Sequence, residues 1–127
     1  MIEIDDLLDI PYCNNGRDIS SGLDCYGLAI EVSRRFGHNL YDVEDAMRSD
    51  RDFADCENQC VKKINVKKVD EPKNEGDIIL IKDMNGINSH IGVYLGNGKF
   101  IHCNSLGVHL DNVSRYKQFI GRVYTWL

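Results

Sequence analysis

A glycine-rich turn in the last third of the sequence constrains the fold more than any other feature. Two runs of alternating residues, 89–95 and 99–104, flank the triplet Gly96-Asn97-Gly98. Alternation with a period of two is typical of strands with one buried face, and an Asn-Gly pair between such runs is typical of a tight turn. The sequence therefore predicts an antiparallel β-hairpin over residues 89–104.

The register of this hairpin decides where its two histidines lie. If Leu95 faces Lys99, then Gly92 faces His102, and His90 lies one diagonal away on the same face. This register collects the apolar side chains on the opposite face, whereas a two-residue loop mixes apolar and polar side chains on both faces. We therefore expect both histidines on one face, with the small Gly92 leaving room beside them.

A helix is predicted from residue 24 or 25 to residue 35. Its apolar residues recur with the spacing of one helical face, starting at Cys25. Ser21 or Asp24 can cap its N-terminus through a side-chain oxygen, and Gly37 can end it because glycine tolerates a positive φ.

Cys25 is therefore the candidate nucleophile. Unpaired backbone N–H groups and the positive end of the helix dipole stabilise a thiolate at a helix start, and the same groups can form an oxyanion hole. A neighbouring imidazole from the hairpin would complete a thiolate–imidazolium pair. The alternative interpretation is a buried structural cysteine at the start of the apolar stripe.

The other patterns divide the chain into a helical first half and a strand-rich second half. Weaker helices are predicted over 43–49 and 51–61, inside a charged stretch (49–70) expected to be solvated. Further strands are predicted over 64–69, 78–81 and 119–127. Helices first and antiparallel strands later predict one α+β domain over residues 1–127, with the helices on one face of a mostly antiparallel sheet.

Charge and hydropathy argue against several classes of protein. The chain carries 15 Lys and Arg against 20 Asp and Glu, a net charge of −5, which disfavours nucleic-acid binding. No segment approaches the ~18–20 apolar residues of a membrane span. The acidic first ten residues do not resemble a signal peptide, so we expect cytoplasmic synthesis or excision from a longer precursor.

The cysteine count is five, so disulfides within one chain cannot pair every thiol. Cys103 falls on the apolar face of the hairpin and is expected in the core. Cys56 and Cys60 are one helical turn apart and could form half of a zinc site, but a second pair of ligands is missing nearby. We therefore predict no metal and no other cofactor. Cys13 has no predicted role.

Three blocks of the sequence resemble the NlpC-type papain-like cysteine peptidases. Residues 12–18 and 22–28 are similar to that family's tyrosine-plus-glycine segment and to its Asp-Cys-Ser-Gly-Leu nucleophile motif. Residues 75–80 are similar to its Pro-Gly-Asp-Leu strand, and residues 89–102 to its histidine hairpin. The blocks occur in the family's order and cover most of residues 12–36 and 75–126.

The resemblance implies a papain-like fold and a role for each matching residue. Cys25 would be the nucleophile, His90 the general base and His102 the polar residue that orients His90. Tyr12 would help to bind the substrate or the oxyanion, and Asp24 would contact a substrate amine. Members of this family usually cut peptidoglycan stem peptides between D-glutamate and diaminopimelate or lysine, which makes a stem peptide the expected substrate.

Two positions depart from the family pattern. Tyr26 stands where serine usually follows the nucleophile; Trp or Tyr is common at this position in phage-tail-associated members. Asn15-Gly16 stands where two glycines are usual. No wall-binding module is recognisable, so we expect targeting by a virion, by another partner or by a missing segment. The alternatives are a Cys-His acyltransferase or other amidase, a non-catalytic phage-tail or assembly module, and a zinc-binding domain.

Overall fold

A computed structural model of the chain describes residues 2–43 and 53–127 as an α+β fold, as predicted. The helices are α1 (Cys25–Arg35) and α2 (Phe53–Val61). The strands, in chain order, are β1 (Arg17–Asp18), β2 (Gly22–Leu23), β3 (Val66–Val69), β4 (Ile78–Lys82), β5 (Asn88–Gly96), β6 (Lys99–Asn104), β7 (Gly107–Asn112) and β8 (Ile120–Trp126). A 3₁₀ helix, Val113–Phe119, connects β7 to β8.

Six strands form one antiparallel sheet in the order β3-β8-β4-β5-β6-β7, and β1 pairs with β2 in a separate small hairpin. The strands β3 and β7 therefore lie at the two edges of the sheet. The N-terminal segment runs beside β7, where Asp9 donates to the carbonyl of Val108 and Val108 donates to the carbonyl of Ile10.

The predicted hairpin is formed by β5 and β6, and its register agrees with the prediction around the histidines. Gly92 pairs with His102, and Tyr94 pairs with Phe100. Nearer the turn, however, Gly96 rather than Leu95 pairs with Lys99, because the register shifts between Tyr94 and Gly96. The hairpin therefore combines a tight turn with a bulge, and the bulge restores the expected alternation at His90 and His102.

The two faces of the sheet carry separate apolar clusters. On one face, α1 packs over β5 and β6 and buries most of its predicted stripe, including Leu28, Ala29 and Val32. On the other face, a smaller cluster forms around Phe100 under the 3₁₀ helix. The ring of Phe100 also occupies the space above Gly92, where an added Cβ would lie 2.7 Å from Cδ2 of that ring. The room predicted beside the histidines is therefore filled by Phe100.

Several elements were not predicted from the sequence. Neither β7 nor the 3₁₀ helix was expected, and the small β1–β2 hairpin was also missed. The helix predicted over 43–49 lies almost entirely outside the described residues. Both described helices, at eleven and nine residues, are too short to cross a bilayer.

Candidate active site

Cys25 is the first residue of α1 and is only 6% exposed. The backbone N–H groups of Ile91 and Tyr26 approach its thiol and favour the charged form. Since Ile91 directly follows His90 on β5, this contact ties the start of the helix to the strand that carries the histidine. The sulfur thus lies where the helix N-terminus meets the sheet.

Close backbone packing sets the position of this helix start. An added Cβ at Gly27, in the first turn of α1, would lie 2.1 Å from the carbonyl oxygen of Gly16. One at Gly16 would lie 2.4 Å from the carbonyl oxygen of Gly22. The loop over 13–16, β2 and the first turn of α1 therefore touch through their main chains, which a side chain at either glycine would prevent.

Asp24 is the N-cap of α1, one of the two caps considered from the sequence. Its Oδ1 accepts from the backbone N–H of Gly27 at 2.7 Å and from the guanidinium of Arg17 at 2.7 Å. Its side chain is 1% exposed, and its Oδ2 has no hydrogen-bond partner among the described residues. An enclosed carboxylate oxygen without a donor is costly, and a ligand that donates to it would recover that cost.

Tyr12 is joined to the segment that leads into Asp24 and Cys25. It forms an isolated bridge to Leu23, two residues before the cysteine. Partial burial raises the pKa of the Tyr12 hydroxyl, and the proximity of Cys25 and Asp24 raises it further. The hydroxyl is therefore a neutral donor close to the thiol, with an exposed fraction of 42% for the residue.

The two histidines form a hydrogen-bonded chain that ends on a carboxylate. The Nε2 atom of His90 lies 2.8 Å from Nδ1 of His102, and Nε2 of His102 lies 3.3 Å from Oδ2 of Asp111 on β7. Asp111 also accepts from the hydroxyl of Tyr116 at 3.1 Å and from Arg115 at 3.1 Å. Asp111 was not among the residues predicted from the sequence.

This chain assigns a tautomer to each histidine. An ionised carboxylate can only accept, so Nε2 of His102 carries the proton that points at Asp111. The Nδ1 atom of a neutral His102 is then an acceptor, and Nε2 of His90 must donate to it. The remaining ring nitrogen of His90, Nδ1, is left as a free base.

Burial sets the charge of both reacting groups. It raises the pKa of the Cys25 thiol to about 12, and the charge of Asp24 adds to this effect, while N–H groups from Ile91 and Tyr26 oppose it. Burial, followed by the proximity of His102 and His109, lowers the pKa of His90 to about 4. Near neutral pH the free protein therefore holds a neutral thiol and a neutral imidazole rather than the expected ion pair. Desolvation outweighs the helix dipole because both ions would be enclosed.

The side chain of Tyr26 points away from the thiol. Its hydroxyl donates to the carbonyl of Tyr41 and lies 3.1 Å from the sulfur of Cys60 on α2, and the residue is only 4% exposed. The aromatic residue after the nucleophile therefore packs between α1 and α2 instead of lining the site. The charged stretch that was expected to be solvated thus buries Cys56 and Cys60.

All five cysteines are in the described part of the chain, and all carry free thiols. Cys103 is in the core, as predicted, and its thiol donates to the carbonyl of Leu23 at 3.2 Å. Cys13 is exposed.

Comparison with known proteins places this geometry in a family. The model of the NlpC/P60 family matches residues 9–124. The chain belongs to the NlpC/P60 family. This membership agrees with the resemblance found in the sequence blocks and with the α+β architecture.

Three solved structures illustrate the likeness. An NlpC/P60 family protein from Bacillus cereus superposes with a TM-score of 0.67 at 21% identity, over 95% of this chain and 37% of that one. NlpC1 from Trichomonas vaginalis gives 0.66 at 20%, over 96% and 42%. The NlpC/p60 domain of the peptidoglycan hydrolase SagA gives 0.55 at 20%, over 92% and 87%. The chain thus spans well under half of the first two proteins, and at these identities the likeness is one of fold.

Within this NlpC/P60 chain, the five predicted site residues form two groups, each held together by its own contacts. One group contains Tyr12, Asp24 and Cys25, and the other contains His90 and His102. Asp111 was missed because it belongs to a strand that was not predicted. The alternation of Val108, Leu110 with His109, Asp111 was the available signal for that strand.

Proposed function

We propose that this protein is a cysteine peptidase that hydrolyses peptidoglycan stem peptides, with Cys25 as the nucleophile. The observation that carries the proposal is the directed chain from Asp111 through His102 to His90. It ends on a free base on β5, the strand over which α1 packs, and α1 begins at Cys25. A directed proton path to a buried base serves a proton-transfer reaction, whereas a structural histidine needs no such direction.

In the proposed mechanism, the Cys25 thiol transfers its proton to Nδ1 of His90 as the sulfur attacks the peptide carbonyl. The new S–C bond gives a tetrahedral oxyanion. We assign two donors to that oxyanion: the backbone N–H of Cys25, which has no intrahelical partner at the first helical position, and the Tyr12 hydroxyl. The transient imidazolium is stabilised by His102 and, through it, by the charge of Asp111.

The acylation step then releases the amine. The C–N bond breaks while His90 returns its proton to the leaving nitrogen, which leaves a thioacyl enzyme. Water attacks this thioester with His90 as the base, and the C–S bond breaks to regenerate the thiol. No cofactor enters this reaction.

The substrate assignment rests on Asp24 and on the family. The enclosed Oδ2 of Asp24 is an acceptor to which no described residue donates, and the free amine at the start of a stem peptide would supply a donor. SagA, a structural neighbour, is a peptidoglycan hydrolase. We therefore propose cleavage between D-glutamate and the diaminopimelate or lysine that follows it.

A muropeptide digest analysed by mass spectrometry tests the activity and the bond together. The wild-type protein should release the two fragments expected from the D-glutamyl bond. Cys25→Ala should release neither, while Cys13→Ala, which removes the exposed thiol, should cleave normally. Undiminished cleavage by Cys25→Ala would overturn the assignment of the nucleophile.

Two other outcomes would replace the proposed reaction. Accumulation of an amide product when an amine acceptor is added would indicate acyl transfer. If no muropeptide or acceptor reacts with the well-folded wild-type protein, the chain is a non-catalytic member of the fold. A delivery route to the cell wall, by a virion or by another partner, is a further part of the proposal and would be detected by co-purification.

A further inference from the structure

Three metal-ligating side chains meet on the face of the sheet that also carries His90. His102 on β6 lies opposite His109 on β7, and Asp111 follows two residues later on the same face of β7. Their ligand atoms, one from each residue, all lie within 4.8 Å of one another. The imidazole, imidazole and carboxylate set is one that divalent zinc prefers.

The spacing of the Asp111 oxygen from each of the two histidines is close to that of a tetrahedral site. Ligand atoms bound at ~2.0–2.2 Å to one tetrahedral zinc are ~3.3–3.6 Å apart. Oδ2 of Asp111 lies 3.3 Å from Nε2 of His102 and 3.7 Å from Nε2 of His109. Both distances to Asp111 are therefore near the tetrahedral value, and the ligand atoms of the two histidines lie within 4.8 Å of each other.

A second, independent feature orients His109 as a ligand. Its Nδ1 lies 3.0 Å from the carbonyl oxygen of Gly107, so this nitrogen carries the proton. In the neutral imidazole, Nε2, the atom that faces Asp111, then carries the lone pair that can bind a metal. A backbone carbonyl that fixes the far nitrogen is the usual second-shell support of a metal-binding histidine.

The surroundings leave room for the ion on one side. The side chain of His109 is 31% exposed, so a water molecule can complete the coordination from solvent. Arg115 is the cation nearest to Asp111. It contacts Oδ1 rather than Oδ2, and its side chain is 71% exposed, so it can swing away.

We propose that His102, His109 and Asp111 form a zinc-binding site that switches off the proposed peptidase. The proposal rests on the proposed function only for its inhibitory consequence, because the binding site stands on its own geometry. The ion takes Nε2 of His102, which in the metal-free protein carries the proton donated to Asp111.

Occupation of that nitrogen reverses the hydrogen-bonded chain. The Nδ1 atom of His102 must now carry the proton, and it takes this proton from Nε2 of His90 across their hydrogen bond. The proton displaced from Nε2 of His102 is taken up through solvent at Nδ1 of His90, so the number of protons on the pair does not change. His90 then presents an N–H where it presented a base, and it cannot accept the thiol proton of Cys25.

The first experiment measures binding without any enzyme assay. Cys25→Ala protein, which lacks the reactive thiol, is titrated with Co²⁺ as a spectroscopic probe and then with Zn²⁺ in competition. We expect one ion per chain, with the visible bands of four-coordinate cobalt and no sulfur charge-transfer band. His109→Gln in the same background should weaken binding by at least ~10- to 100-fold, the loss that even outer-shell changes cause. His38→Gln, which removes a histidine stacked on Trp126 far from the cluster, is the matched control and should bind normally.

The second experiment measures inhibition of muropeptide cleavage by Zn²⁺ buffered with a chelator. His109→Gln should keep its metal-free cleavage rate within about twofold and should lose the zinc inhibition, because His109 lies outside the proposed proton path. If zinc inhibits His109→Gln as strongly as the wild type, the ion acts on the thiol and the switch is overturned. If Cys25→Ala binds no cobalt or zinc, the site itself is overturned, whether or not the protein cleaves any peptide.

Discussion

The nucleophile and the histidines of the proposed site are held by two different kinds of contact. Cys25 is positioned by main chain: by the close contact between Gly16 and Gly27, and by the packing of α1 on β5. His90 is positioned by side chains, through His102 and Asp111 from two further strands. A main-chain contact tolerates no added atom. The hydrogen-bonded side chains of Asp111, His102 and His90, called the side-chain relay below, can instead be weakened one group at a time.

The largest expected effect comes from breaking the main-chain contact. Gly27→Ala places a Cβ 2.1 Å from the carbonyl oxygen of Gly16, and neither backbone can yield cheaply. We expect the free energy of unfolding to fall by about 3 kcal/mol or more, as measured by chemical denaturation.

The control for that substitution is Gly98→Ala. Gly98, unlike the helical Gly27, has a positive φ, of 76°, and an added Cβ there meets no atom of the described residues within 4 Å. Its cost should be about 1 kcal/mol, from backbone strain alone. Equal costs at the two positions would show that close contact does not hold the helix start.

The side-chain relay is broken at its far end by Asp111→Ala. Without the carboxylate, nothing forces the proton of His102 onto Nε2, and the free base at His90 is lost for part of the time. We expect kcat/KM for muropeptide cleavage to fall ~10- to 100-fold, through kcat rather than KM.

Nitrogen-15 NMR of the histidine rings separates this role from a structural one. In the wild type, His90 and His102 should both carry the proton on Nε2, and in Asp111→Ala this preference should disappear while the fold remains. Asp5→Ala, which removes an exposed carboxylate, should change neither the tautomers nor the rate. A wild-type His90 protonated on Nδ1 would contradict the assigned direction of the relay.

Acid sensitivity probes the burial of the relay. The pKa of His90 is lowered to about 4 in the folded protein by burial, and a free histidine titrates near 6.5. As the pH falls below 6.5 the unfolded chain binds the proton first, so stability is complete above that pH and is lost towards pH 4. Between pH 7 and pH 5 the loss from His90 should be about 2 kcal/mol at most.

Denaturation of His90→Gln at the same pH values checks this assignment. The variant lacks the titrating group, so its stability should fall less between pH 7 and pH 5 than that of the wild type. The pKa of His102 is also lowered by burial, so both proteins should still lose some stability as the pH falls. Identical slopes would mean that His90 is solvated in the folded protein.

The smallest effect is expected from Tyr116→Phe. Its hydroxyl is one of the donors to Oδ2 of Asp111, and the Phe ring keeps the edge contact with Phe100. Loss of one hydrogen bond to a carboxylate that keeps other donors should lower kcat/KM by less than about fivefold. A loss as large as that of Asp111→Ala would move Tyr116 into the relay itself.

The difference between contacts that are local in the chain and contacts between distant elements also explains what could be predicted from the sequence. The start of α1 follows from local patterns, because the cap Asp24, the apolar stripe and Gly37 are neighbours in the chain. The hairpin was predictable for the same reason, and its alternation located both histidines on one face. The bulge near Leu95 was not predictable, since a register shift depends on how the turn meets the rest of the sheet.

Asp111 and Tyr26 were harder because their roles depend on distant elements. Asp111 reaches His102 because β7 pairs with β6. The sequence of β7 is short, begins with Gly107 and mixes apolar with polar residues, so its strand pattern is weak. Tyr26 follows the nucleophile in the chain, but its direction is set by Tyr41 and by Cys60 on α2. The charge states of Cys25 and His90 were also beyond local patterns, since burial decides them.

The two edge strands of the sheet also affect how the protein behaves when it is concentrated. An open edge offers unpaired backbone groups to another chain and so promotes aggregation. The edge at β7 is partly covered by Asp9 and Ile10 through their hydrogen bonds with Val108. The edge at β3 carries Lys67 and Lys68 in succession, which puts an ammonium group on each face of that strand. A strand that added to β3 would have to desolvate both charges, so these lysines oppose edge-to-edge polymerisation at the edge that the described residues leave uncovered.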